Sequence, residues 1–92
     1  MSKYEVRFTN RFKKDVRLAH KQGKNMDKLW HVVEKLANGE KLEPKYRDHA
    51  LSGAYQGVRE CHIGPDWLLV YEVIEDVLVL SLQRISSHSE LF

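Results

Sequence analysis

The chain has 92 residues, of which 42% are apolar and 30% are charged, with 15 Lys and Arg residues against 13 Asp and Glu residues. This size and composition predict one globular domain over residues 1–92, and the apolar runs fall far short of the roughly 20 residues that a membrane-spanning helix needs. No apolar signal segment begins the sequence, and a single cysteine excludes an internal disulfide. The sequence therefore predicts a cytoplasmic protein with no membrane partner.

The charge is unevenly distributed along the chain. Residues 1–30 carry nine Lys and Arg against three Asp and Glu, a net charge of +6, whereas residues 31–92 carry six against ten, a net charge of −4. A basic block favours binding to a phosphate backbone or to an acidic protein. It is equally typical of an ordinary solvated helix face, so charge alone does not identify a partner.

The first half of the chain predicts one strand and two helices. Residues 3–8 alternate polar and apolar side chains, as a strand does. Apolar residues then recur at helical spacing over 9–23 and again over 25–39, and each stretch has a capping residue at its start and a glycine at its end.

The second half predicts a long loop followed by three strands. Residues 40–57 are irregular and contain one proline and two glycines. Strands are predicted at 58–63, 67–74 and 77–85, joined by short turns. The order β-α-α-β-β-β predicts an α+β fold, in which the two N-terminal helices pack on one face of a small antiparallel sheet.

Several kinds of chemistry have no support in the sequence. The five histidines (His20, His31, His49, His62 and His88) lack the spacing of metal ligands, and no nucleotide-binding or serine-hydrolase motif is present. Cys61 and His62 are adjacent on a strand, so their side chains point to opposite faces and do not form a catalytic pair. We expect a buried structural thiol, no metal and no small-molecule cofactor.

A polar set remains in the C-terminal half, and the predicted sheet brings its members toward one end. Glu60 and His62 share a strand face, Asp66 lies across the next turn, and Arg84 is near the end of the last strand. The complete set is Asp48, His49, His62, Asp66, Arg84 and His88. Histidine transfers protons near neutral pH and arginine binds phosphoryl oxygens, so this set suits metal-free cleavage of RNA.

Each of these residues also has an ordinary structural interpretation. A histidine in a loop is usually a surface residue, Trp67 is typical of a core, and Arg84 is typical of a salt bridge at a strand end. On these patterns alone the structural interpretation is favoured.

One block of the sequence resembles a known family. The stretch YRDHALSGAYQGVRECHIGPDWLLVYEV is similar to the central block of YafQ-type toxins in the RelE/ParE superfamily of bacterial toxin–antitoxin systems, with the pattern D-H-x-L-x-G-x-Y-x-G-x-R-x-x-H-x-x-P-D-W. FKKDVRLAHKQGKNMDKL resembles the helices that precede this block, and RISSHSELF resembles the family's ending. The hairpin over residues 71–84 is a little longer than expected for the family.

The resemblance implies a RelE-like domain and a ribosome-dependent, metal-independent endoribonuclease that cuts mRNA in the ribosomal A site. It also implies an antitoxin partner, besides the ribosome with its rRNA and mRNA. Carried over by position, the site comprises His49, His62, Asp66, Arg84 and His88, with Trp67 and Phe92 as supporting aromatics that bind the substrate. Arg84 would stabilise the phosphate charge, His88 would be the general acid, and His49, His62 and Asp66 would share the base and positioning roles.

Two other functions stay open for the same fold. A ParE-like toxin inhibits a topoisomerase by binding and needs no RNA chemistry. A catalytically inactive domain would survive only as a binding module. The retained histidines argue against both, because a protein that only binds does not need them.

Overall fold

Three helices and a five-stranded sheet make up residues 2–51 and 57–91, the part of the chain that the computed structural model describes. The helices are α1 (Asn10–Lys21), α2 (Met26–Ala37) and α3 (His88–Leu91). The strands are β1 (Glu5–Phe8), β2 (His49–Ala50), β3 (Arg59–Gly64), β4 (Trp67–Ile74) and β5 (Val79–Ser86). Short 3-10 helices lie at Pro44–Tyr46 and Glu75–Val77.

The strand order is β1-β5-β4-β3-β2, and one pairing differs from the expected antiparallel sheet. The β2–β3, β3–β4 and β4–β5 pairs are antiparallel, whereas β1 runs parallel to β5, with Glu5 opposite Val79. The α+β class is confirmed, and the purely antiparallel sheet is wrong. A short turn forces neighbouring strands to be antiparallel, but β1 and β5 lie at opposite ends of the chain and no turn constrains them.

The two long helices form where their caps and apolar stripes predict. Thr9 accepts a hydrogen bond from the Phe12 amide at 3.0 Å at the start of α1, and Asn25 accepts one from the Lys28 amide at 3.2 Å at the start of α2. These bonds satisfy amides that have no partner within the helix. Phe12 and Ala19 on α1 and five residues on α2 are buried, so the apolar stripes face the sheet.

The hydrophobic core lies between the helices and the sheet, so strand residues that do not face the core lie on the opposite face of the sheet. Cys61, Ile63 and Leu69 belong to the same buried cluster as the helix residues Phe12 and Leu29. Cys61 is fully buried, as expected for a structural thiol. Because side chains alternate along a strand, Glu60 and His62 lie on the face that is turned away from the helices. None of the described helices is long and apolar enough to cross a membrane.

The predicted long loop contains two short elements. A 3-10 helix at Pro44–Tyr46 buries Tyr46, and the two-residue strand β2 pairs His49 with Glu60 of β3. This short pairing attaches the loop to the edge of the sheet and carries His49 to a strand that already presents His62.

Candidate active site

A glutamate lies between two of the predicted site histidines. Oε1 of Glu60 is 3.6 Å from Nε2 of His49 and 3.8 Å from Nε2 of His62, and the two ring centroids are 6.4 Å apart. The Glu60 side chain is 7% exposed, whereas those of His49 and His62 are 49% and 28% exposed. Both imidazoles therefore reach solvent, while the carboxylate beneath them attracts the positive charge that either ring carries after it accepts a proton.

The orientation of the His49 ring is fixed by the backbone. Nδ1 of His49 lies 2.7 Å from the carbonyl oxygen of Arg47. A carbonyl only accepts hydrogen bonds, so Nδ1 carries the hydrogen and Nε2 is the nitrogen that takes up or releases a proton. Arg47 has a φ of 50°, the left-handed region that residues with a side chain seldom adopt.

A polar network anchors the segment that carries His49. Asp48 accepts a hydrogen bond from the Tyr71 hydroxyl at 2.5 Å and bonds from Nε and Nη2 of Arg59 at 3.4 and 3.1 Å. Burial and the neighbouring Asp48 carboxylate raise the pKa of the Tyr71 hydroxyl, and the same carboxylate raises the pKa of Arg59. Asp48 was a member of the predicted polar set, whereas Arg59 and Tyr71 were not, and together the three residues hold the His49 segment on the sheet.

Arg84 is held by a carboxylate of α1. Its Nε is 2.7 Å from Oδ2 of Asp15 and its Nη2 is 3.3 Å from Oδ1, and the Ile85 amide donates to Oδ2 at 3.1 Å. Arg84 pairs with Val70 in the sheet and Val70 pairs with Glu60, so the arginine is two strands away from His62 and three strands away from His49. The predicted salt bridge at the strand end is present, and Asp15 is its partner.

Asp66 and Trp67 lie where the turn after β3 leads into β4, and they line a different cleft from the one that His62 lines. Asp66 lines a cleft of about 210 Å³ together with Asp15, Ser86 and Ser87. Trp67 also borders this cleft, but it is only 5% exposed and belongs to the hydrophobic core. Packed in this way, only a small part of its surface is available to a substrate.

The structure thus assembles the predicted site only in part. His49 and His62 come together, while Arg84 and Asp66 lie near Asp15. His88 begins α3, but its side chain lies outside the described residues, as does Phe92.

The residue that the sequence analysis missed is Glu60. Its place on the same strand face as His62 was visible in the sequence, but its contact with His49 depends on the pairing of β2 with β3. Asp15 was missed too, because it lies among the basic residues of α1 and its partner is 69 positions away.

Within residues 2–51 and 57–91, no group of three His, Cys, Asp or Glu side chains is arranged to hold a metal ion.

Comparisons with known proteins agree over nearly the whole chain. A family model described as "Bacterial toxin of type II toxin-antitoxin system, YafQ" matches residues 4–92. The "mRNA interferase toxin YafQ" of Escherichia coli (strain K12) is 34% identical over 93 aligned residues, which cover 100% of this chain and 99% of that protein.

Solved structures show the same fold. A metal-bound toxin from Helicobacter pylori superposes with a TM-score of 0.92 at 42% identity, covering 97% of this chain and 99% of that one. In the E. coli DinJ–YafQ toxin–antitoxin complex, the matching chain superposes with a TM-score of 0.90 at 34% identity, covering 98% of each chain. With the matched sequence block and the shared fold, these findings place the chain in the YafQ family of bacterial type II toxin–antitoxin toxins.

Proposed function

We propose that this protein is a metal-independent endoribonuclease that cuts mRNA in the ribosomal A site and so stops translation. The observation that carries the proposal is the Glu60 carboxylate between the two solvent-accessible imidazoles of His49 and His62. The relative named as an mRNA interferase and the solved E. coli DinJ–YafQ complex support this activity and a cognate antitoxin as partner. The protein acts as a single domain in the cytoplasm, on mRNA held by the ribosome.

The proposed reaction is an attack of the 2′-oxygen on the adjacent phosphorus. An imidazole nitrogen, Nε2 of His49 or of His62, takes the 2′-hydroxyl proton, and Glu60 stabilises the resulting positive charge. The new P–O2′ bond forms as the P–O5′ bond breaks, which leaves a 2′,3′-cyclic phosphate and a 5′-hydroxyl. The leaving 5′-oxygen receives a proton from His88 as general acid, and Asp66 assists in positioning.

Arg84 stabilises the negative charge of the phosphoryl oxygens in this scheme. A guanidinium has five N–H donors, and Asp15 receives two of them. The Asp15 carboxylate fixes the plane of the group, and the three N–H donors that it does not use can donate to phosphoryl oxygens. Phe92 and the edge of Trp67 complete the proposed substrate contacts.

Primer extension on a reporter mRNA in a purified translation system tests the proposal. The wild-type protein is compared with His62→Ala, His88→Ala and the matched control His31→Ala, which removes an exposed histidine of α2. We expect codon-phased cuts that require ribosomes, that persist in the control and that fade in the two site variants. Intact mRNA while translation continues would contradict the proposal.

The two alternative functions predict different outcomes. A ParE-like toxin would leave mRNA intact and inhibit supercoiling by purified DNA gyrase. A catalytically inactive binding module would do neither. Measuring supercoiling with the same protein preparation therefore separates the three possibilities, whereas a growth assay does not, because both toxin types stop growth.

A further inference from the structure

Four cationic or titratable nitrogen groups converge on one cleft beside the proposed reaction centre. The cleft has a volume of about 290 Å³. Lys28 comes from the first turn of α2, Lys45 and Arg47 come from the 3-10 helix and the residue after it, and His62 comes from β3. Its other lining residues, Tyr46, Ile63, Gly64 and Pro65, are uncharged, so no carboxylate of the described residues lines this basic cleft.

The positive charges of the basic cleft are largely uncompensated. Among the described residues, no carboxylate pairs with the side chain of Lys28 or of Arg47. Lys45 is 4.0 Å from Glu43, but both side chains are more than half exposed, and such pairs contribute little. Two unpaired cations and a third that is only weakly paired attract an anion, and phosphate oxygens are the usual ligands of Lys and Arg in such a group.

The basic cleft is continuous with the candidate active site. His62 lines the cleft and is also one of the two rings beside Glu60. Arg47 lines the cleft, and its carbonyl oxygen accepts a hydrogen bond from the His49 ring. The left-handed backbone at Arg47 places the cleft wall and the His49 contact at the same turn. Backbone strain of this kind is maintained where the surrounding structure fixes a functional geometry.

We propose that the basic cleft binds a phosphodiester group of the RNA strand next to the one that is cleaved. The bound phosphate sits among Lys28, Lys45 and Arg47 and places the scissile phosphate at His49 and His62. This inference rests on the proposed nuclease function, and it assigns the substrate contact on one side of the cut. Charge neutralisation drives the binding, so it depends strongly on salt.

The test is a binding measurement that needs neither ribosomes nor cleavage. The probe is a short fluorescent single-stranded RNA with 2′-O-methyl groups, which removes the attacking hydroxyl. Fluorescence anisotropy gives its affinity over a series of salt concentrations for the wild type, Lys28→Gln and Arg47→Gln. Lys35→Gln, which removes the same charge from α2 away from the cleft, is the matched control.

We expect each cleft variant to lower the magnitude of the salt slope of log affinity by roughly 0.7, the value for one phosphate contact with a single strand. The control should keep the wild-type slope, and thermal unfolding should show that all four proteins are folded. A wild type that binds no RNA at low salt, or equal slopes in the control and the cleft variants, would overturn the proposal.

A second probe distinguishes RNA from an acidic peptide. An oligoglutamate peptide of the same charge should compete at least tenfold more weakly than the RNA. Equal competition would overturn the assignment to a phosphodiester. The proposed nuclease function fails separately, because it is judged by cuts in mRNA, whereas this inference is judged by binding of an RNA that no nuclease of this type can cut.

Discussion

The ion pair between Asp15 and Arg84 joins the first helix to the last strand, and its removal has a measurable cost. The Asp15 side chain is 10% exposed and receives Nε and Nη2 of Arg84 as well as the Ile85 amide. Asp15→Asn keeps the size of the side chain and one acceptor oxygen. It replaces the other oxygen with an NH₂ group that faces a donor, and it leaves the guanidinium without its counter-ion.

The size of the effect follows from these contacts. A hydrogen bond to a charged group contributes about 1.5–3 kcal/mol to stability. Two such bonds are weakened, but Arg84 is 22% exposed and water takes over part of its solvation. We therefore expect a loss of about 2 kcal/mol in the free energy of unfolding. For a domain of this size, each 1 kcal/mol corresponds to about 4–8 °C in Tm, so Asp15→Asn should lower Tm by about 8–16 °C.

Circular dichroism gives the Tm of Asp15→Asn, of Arg84→Gln and of the double variant. Asp76→Asn, at an exposed position of the turn before β5, is the control and should change Tm by no more than about 2 °C. If the pair is energetically coupled, the second substitution costs at least about 1 kcal/mol less after the first. A Tm for Asp15→Asn that equals the control, or strictly additive losses in the double variant, would refute the reasoning.

Three further predictions concern the buried polar groups. Tyr71→Phe removes the hydroxyl that donates to Asp48 and should lower the free energy of unfolding by about 1–2 kcal/mol in urea titrations; an unchanged midpoint would show that the bond is not stabilising. Burial raises the pKa of Cys61 far above its usual range. Above about pH 8.5 the unfolded chain therefore loses the thiol proton while the folded chain keeps it, so the free energy of unfolding should fall by up to about 1.4 kcal/mol per pH unit. Cys61→Ala should remove this decline between about pH 8.5 and 10. An identical decline in that variant would exclude the thiol as its cause. Glu60→Gln should slow mRNA cleavage by at least about tenfold, because Glu60 supports a histidine whose proton transfer contributes roughly 10²–10⁴-fold to the rate. Glu34→Gln on the exposed face of α2 is the control and should keep full activity.

The fold was predictable from the sequence where local rules determine it. The caps at Thr9 and Asn25 and the apolar stripes of both long helices depend on neighbours three or four positions away, and the hairpins of the C-terminal sheet depend on short turns. The parallel pairing of β1 with β5 has no local determinant, because the two strands are separated by nearly the whole chain. The two-residue strand β2 is too short to show an alternating pattern.

The candidate site, too, was predictable from the sequence only in part. His49 and His62 were identified from the residue types and from the family block, and the structure brings them together. Glu60 acquires its contact with His49 only through the pairing of β2 with β3, and Asp15 acquires Arg84 across 69 positions. Contacts of this range depend on the assembled fold, so residue spacing in the sequence does not reveal them.

Three consecutive residues connect the anchoring network, the histidine pair and the basic cleft. The Asp48 side chain is held by Tyr71 and Arg59, and the His49 ring faces Glu60. Arg47 lines the cleft, and its carbonyl oxygen accepts a hydrogen bond from His49. Side chains of successive residues in an extended or turning segment point in different directions, so one short segment can contact the anchoring network, the histidine pair and the basic cleft. Ordering this segment costs conformational entropy, and the hydrogen bonds that Asp48 accepts from buried or half-buried groups of β3 and β4 offset that cost. The position of His49 relative to the cleft therefore depends on the rigid sheet beneath it and not on the loop itself.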